Sequence, residues 1–224
     1  MFAARNFAVP VARAACRPQA VVAPANARLA SLRAHIAALS TVSEPIIHDH
    51  KELKQFYNEV VNNSNDHDHQ DRYGNQFTWE LARHSIAEEL VIYPAFEKYL
   101  GQEGKNMAES DRKQHHQVKE HLKKFQNLKA SHPDYVPELK SLWAILEKHI
   151  QEEEQNDLPK FEKVLSQHEE ASTKLAVNFQ RVKAFIPTRS HPSAGENPYF
   201  ESLAGLLAAP MDKLADLFRK FPEK

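Results

Sequence analysis

The chain has 224 residues, 26% of them charged, only 5 glycines and a formal net charge of -1. This length suits one well-buried domain with appendages, and the balanced charge gives no electrostatic footprint for nucleic acid. A single cysteine, Cys16, excludes disulfides, iron–sulfur clusters and cysteine zinc sites, and no apolar run reaches the roughly 18–20 residues of a membrane span. Histidine is the unusual component, with 13 copies, several beside acidic residues.

Residues 1–43 contain Arg5, Arg13, Arg17, Arg28 and Arg33 but no Asp, Glu or Lys, and are rich in Ala and Val. An Arg-rich, acid-free N-terminus is the composition of a mitochondrial transit peptide, so a mitochondrial, matrix location is expected. The first acidic residue is Glu44.

A first helix is expected from Ser43, read as its N-cap, with Pro45 in the first turn. Ile46, Ile47, His50, Leu53, Tyr57 and Val60 recur at helical spacing, so one apolar face carries a histidine. Tyr57, one helical repeat beyond His50, is either a neighbour of the site or core packing. The polar run 62–74, with His67 and His69 among acids, reads as a loop. A second helix is expected over 75–100, bent near Pro94, with Phe77, Leu81, His84, Glu88, Val91 and Ile92 on its inner stripe. Glu89 faces more outward, toward solvent or a partner of the site.

The run from Gly101 to Asn106 reads as a turn, with Asn106 as the next N-cap and Glu109 closing a capping box. Val118, Leu122 and Phe125 define that helix's buried face. His115 shares the face, whereas His116 is offset by about 100° and pairs more naturally with Glu120. After a turn bracketed by Pro133 and Pro137, Leu139, Leu142, Ile145, Leu146, His149 and Glu153 form a fourth stripe, flanked by Glu152 and Glu154.

Two runs, His84 to Glu88 and His149 to Glu153, therefore place an imidazole and a carboxylate one turn apart on one helix face, where both can grip one metal. With His50 and His115, every one of four helices presents an inward histidine. An ionised carboxylate on such a stripe is costly unless paired or metal-bound. Antiparallel up-down-up-down packing of four helices brings all six side chains to one level. Nitrogen and carboxylate donors without sulfur suit iron, manganese or zinc, and paired carboxylates with several histidines favour two irons.

Over about residues 43–165 the chain resembles the hemerythrin-like HHE cation-binding domains. The likeness rests on Asp49-His50-x-x-Leu53, Trp79-Glu80-x-x-Arg83-His84-x-x-x-Glu88-Glu89-x-x-x-Tyr93-Pro94, His115-x-x-Val118-Lys119 and His149-x-x-x-Glu153-Glu154. The run Pro187-Thr188-Arg189-Ser190-His191-Pro192 resembles fungal members of the group. The resemblance implies that His50 and His84 hold one iron, His115 and His149 the other, and Glu88 and Glu153 bridge them. The oxygen-carrying hemerythrins have a further histidine where this chain has Lys119, and space the last carboxylate as at Glu154 rather than Glu153. Both irons are then open, which argues against simple oxygen transport.

The expected plan is a targeting segment or disordered tail over 1–43, an all-α hemerythrin-like bundle over 44–184, and an extended linker with an amphipathic helical tail over 185–224. That tail carries Phe200, Leu203, Leu206, Leu207, Met211, Leu214, Leu217 and Phe218, broken at Pro210, and folds back on the bundle or meets a partner. The expected function is binding, sensing or scavenging of a small oxidant or diatomic (O2, NO or peroxide) or of iron itself. The alternatives are a di-iron oxidoreductase of ferroxidase or peroxidase type, and a structural metal-binding bundle. Only Glu89, Glu120, Glu152 and Glu154 hint at an acidic entry path for a ferroxidase.

Overall fold

The structure, a computed structural model, describes residues 41–168, 170–191 and 208–223. The expected targeting segment, up to residue 40, and Phe200, Leu203, Leu206 and Leu207 of the tail lie outside the described residues. Helices α1 (Ser43–Asn62), α2 (His67–Ala87), α3 (Tyr93–Phe125) and α4 (Tyr135–Glu152) form the bundle, followed by α5 (Leu158–Leu165) and α6 (Ala171–Lys183). A π-helical turn, Glu88–Ile92, joins α2 to α3, and a second, Glu153–Asp157, joins α4 to α5.

Two apolar clusters flank one polar level. One holds Ile46, Ala87, Ile92, Phe96, Ala108, Leu158, Phe161 and Phe179. The other holds Leu53, Phe77, Leu81, Val118, Leu122, Leu139, Leu142 and Leu146. Followed from its N-terminus, α1 runs from the first cluster past His50 to the second, and α2 returns past His84. Next, α3 passes His115 toward the second cluster, and α4 passes His149 back toward the first. Neighbouring helices are therefore antiparallel, and the four histidines fall at the level where the clusters meet.

Several local expectations are corrected. Ser43 does not cap α1: its backbone N–H and hydroxyl both donate to Glu162 Oε1, at 2.9 and 2.8 Å. The predicted loop at 62–74 is largely helical, because Asp66 caps α2 by accepting from the His69 N–H at 3.0 Å. Asn106 lies inside α3 and caps nothing; the chain turns at Gly101 alone, with φ 61° and ψ -129°, a region that favours glycine. Gly104 then packs so closely that a Cβ there would lie 2.0 Å from the Phe96 carbonyl oxygen.

The tail docks by its polar side. Among the described residues, 208–216 are helical, and the helix runs through Pro210 rather than breaking there. Asp212 accepts from the backbone N–H groups of Thr188 and Arg189, and Asp216 from the Thr188 hydroxyl and the Arg189 guanidinium. Met211, Leu214, Leu217 and Phe218, expected on the packing face, are exposed.

Candidate metal centre

Both π-helical turns begin at an inward glutamate and end before a proline. Pro94 and Pro159 lack an N–H, and their rings crowd the preceding carbonyls, so each helix widens by one residue at this point. The widened registers place the Tyr93 N–H on the Glu88 carbonyl and the Leu158 N–H on the Glu153 carbonyl. The underlying sequence is a repeat, His-x-x-x-Glu-Glu-x-x-x-(Tyr/Leu)-Pro, over 84–94 and 149–159. Two equivalent half-sites thus face each other.

The structure brings His50, His84, Glu88, His115, His149 and Glu153 together, all at most 3% exposed. His84, His50 and Glu88 form one group of potential donor atoms, and His115, His149 and Glu88 another, each with its atoms within 4.8 Å of one another. His84 Nε2 lies 3.2 Å from Glu88 Oε2, His115 Nε2 3.4 Å from the same oxygen, and His50 Nε2 3.3 Å from Glu153 Oε2. The His50 and His84 rings meet edge-on at 4.9 Å, and those of His115 and His149 at 4.7 Å. His116 is on the surface, 3.8 Å from Glu120. Glu154 is part-exposed and meets the outer edge of His50.

Each imidazole is oriented from outside by its Nδ1. His50 Nδ1–H donates to Glu154 Oε1 at 2.8 Å, His84 Nδ1–H to Asp49 Oδ2 at 3.2 Å and His115 Nδ1–H to Glu89 Oε1 at 3.2 Å. His149 Nδ1–H donates to Gln114 Oε1 at 3.0 Å, while the Gln114 amide donates to Glu152 at 2.7 Å, which fixes the amide's orientation. In the neutral rings the lone pairs then lie on Nε2, pointing inward. Metal-binding histidines are held in this way. The Nε2 atoms of His115 and His149 are 3.0 Å apart, a contact between two lone pairs that a shared cation relieves.

Among the described residues, no carboxylate oxygen of Glu88 or Glu153 has a hydrogen-bond partner, and neither do His50 Nε2 and His84 Nε2. Such orphans are uncommon in folded proteins. Burial, then the Glu153 charge, raises the Glu88 carboxyl well above its ordinary range. Burial would also raise Glu153, but the His50 imidazole, 3.3 Å away, outweighs it and holds the carboxyl down to about 2. Burial lowers His84, and lowers His149 to about 3 with help from His115. In His50, Glu153 and Glu154 overcome burial and raise the ring to about 9.

Three partners were not singled out in the sequence. Tyr93 donates to His115 Nε2 at 3.0 Å; its place follows from the widened turn, which a regular helical wheel does not anticipate. Tyr57 instead stacks on Trp143, 4.6 Å between centroids, away from the centre. Gln114 and Asp111 are the others: Asp111 is buried one turn before His115, with Oδ2 unpartnered among the described residues. Burial, then Glu153, raises its carboxyl to about 8. Glu89 is buried and belongs to the site, with Lys119 Nζ 2.7 Å from its Oε1.

An antiparallel helical bundle with a buried level of inward imidazoles and carboxylates defines a cation-binding class of protein. Residues 41–161 match the hemerythrin HHE cation binding domain, and the chain belongs to this family. It is 52% identical over 184 residues to a hemerythrin-like protein of Schizosaccharomyces pombe, the aligned part covering 82% of this chain and 89% of that relative. No solved structure matches it.

Proposed function

We propose that the chain holds two iron ions, one between His50 and His84 and one between His115 and His149, with Glu88 and Glu153 shared between them. The observation that carries this reading is the convergence of orphaned buried carboxylate and imidazole atoms at one level, each ring oriented from behind. Manganese or zinc would satisfy the same donor atoms. Iron so held can bind or exchange electrons with small oxidants and diatomics, and we assign the protein to binding, sensing or scavenging O2, NO or peroxide. Lys119 supports a reactive rather than a carrier role: it stands where oxygen carriers have another histidine, and its ammonium pairs with Glu89. Access for a small ligand is supported by a cavity of about 200 Å³ between α1 and α4 that reaches His50, beside Trp143 and Glu154.

A redox enzyme is the second reading, favoured by Asp111, a buried acid that retains a proton near neutral pH beside the centre. Turnover of Fe(II) or peroxide at saturation separates enzyme from binder. Mitochondrial matrix location is supported by the acid-free, Arg-containing stretch 1–43. N-terminal sequencing of the native protein tests it.

The deciding experiment is metal analysis with Mössbauer spectroscopy. About two coupled irons per chain are expected, and their loss in Glu88→Ala. A folded protein with one metal or none, or Glu88→Ala with unchanged metal, removes the di-iron reading.

A further inference from the structure

We propose that α6, an element beyond the matched domain, completes one half of the centre, with Lys183 positioning His84 through Asp49. The inference rests on the reading of His84 as a metal ligand.

Lys183, the last residue of α6, reaches between α1 and α2 and pairs with both Asp49 Oδ2 and Glu80 Oε1. All three side chains are buried, as is His84. The Asp49 oxygen that Lys183 engages is the same one that accepts from His84 Nδ1–H at 3.2 Å. Lysine, carboxylate and imidazole therefore form one line ending at the inward Nε2.

Two further contacts fix where α6 ends. Arg83, adjacent to His84, donates from Nε to the Lys183 carbonyl at 2.9 Å. Phe179, one turn before Lys183, is fully buried with its ring edge-on to His84, 6.1 Å between centroids. A buried carboxylate needs a cationic or hydrogen-bonding partner, and α6 delivers that cation at the outer edge of His84.

The opposite half-site repeats the arrangement. His115 Nδ1–H donates to Glu89, and Lys119 Nζ pairs with Glu89 from within α3. The same chemistry thus occurs at both halves, but at His84 the lysine comes from residue 183, outside the 41–161 match. Paired with Lys183, Asp49 stays an acceptor, and His84 keeps its proton on Nδ1 and its lone pair toward the centre.

The test uses the full chain, wild type and Lys183→Met, which keeps side-chain length and removes the charge. In metal-free protein with 15N-labelled histidine, NMR reads the ring tautomers. Wild-type His84 is expected in the Nδ1–H form. In Lys183→Met that single form is lost at His84 while His149, held by Gln114, is unchanged. On loading with Fe(II), the variant is expected to bind one of two metals roughly ten- to a hundredfold more weakly. A merely structural lysine would lower the unfolding temperature and leave tautomer and affinity unmoved, and that result overturns the proposal. Wild-type His84 in the Nε2–H form overturns it too, and decides the matter alone if Lys183→Met does not fold. Wild type that binds no Fe(II), zinc or manganese removes the metal reading instead, while the tautomer data still judge the link from Lys183 to His84.

Discussion

Asp111 combines deep burial, an unpartnered oxygen and acidic surroundings. Glu153, Asp157 and Glu152 face it, with Arg112 the opposing charge, and its carboxyl rises from 3.8 to about 8. An unfolded chain gives up this proton near pH 4, whereas the folded chain keeps it until about pH 8. Stability from this residue is therefore fully present below pH 4 and is lost as pH rises through the window. In metal-free protein, Asp111→Asn should match wild type near pH 4 and exceed it by a few kcal/mol, on the order of magnitude of the shift, at pH 8. Urea unfolding at both pH values measures this; a constant difference would mean the carboxyl does not titrate there. The inward positions His50, His84, Glu88, His115, His149 and Glu153 were legible because helical spacing alone sorts side chains by face. Asp111, Gln114 and Tyr93 were not, because polar residues on a helix flank look solvated until the facing helix is placed.

At the scale of elements, the four helices were legible from their apolar stripes, and their boundaries were not. The start of α2 moved because Asp66, inside a polar run, supplied a cap that composition cannot distinguish from loop. The turn expected over 101–106 shrank to Gly101, inside α3, because one residue with positive φ redirects the chain. These glycines differ in kind, and substitution separates them. Gly101→Ala meets open space and is strained only by its backbone angles, at a cost of roughly 1–3 kcal/mol. Gly104→Ala drives a Cβ into the Phe96 carbonyl, backbone that cannot swing aside, and should cost roughly 1–3 kcal/mol or more. Denaturant midpoints are expected to fall further for Gly104→Ala; the reverse order would mean that the close approach relaxes at little cost. The proline-terminated π-helical turns were visible in principle as the repeat over 84–94 and 149–159, which shows only when the two segments are aligned.

The whole molecule has a polar level between two apolar clusters, an arrangement that is stable only if that level is satisfied. A cation bound to the folded chain alone stabilises it by mass action, about 2.7 kcal/mol per site at a hundredfold excess over Kd. Chelation should therefore lower the unfolding temperature by about 5–10 °C for each such site, at about 2–4 °C per kcal/mol. Calorimetry with and without a chelator checks this, and an unchanged midpoint would mean that no cation contributes to the fold. The tail was legible as amphipathic, but its docking face was not. Asp212 holds the buried backbone N–H groups of Thr188 and Arg189, and Asp216 holds their side chains, so the polar side of the helix is the one that docks. The place of Lys183 also carries a consequence in time. Synthesis proceeds from the N-terminus, so α1 and α2 emerge with Asp49 and Glu80 well before the cation that neutralises them. If Lys183 positions His84 as proposed, that half of the centre lacks its outer cation until α6 has been made, and metal loading is then expected to follow synthesis instead of guiding it.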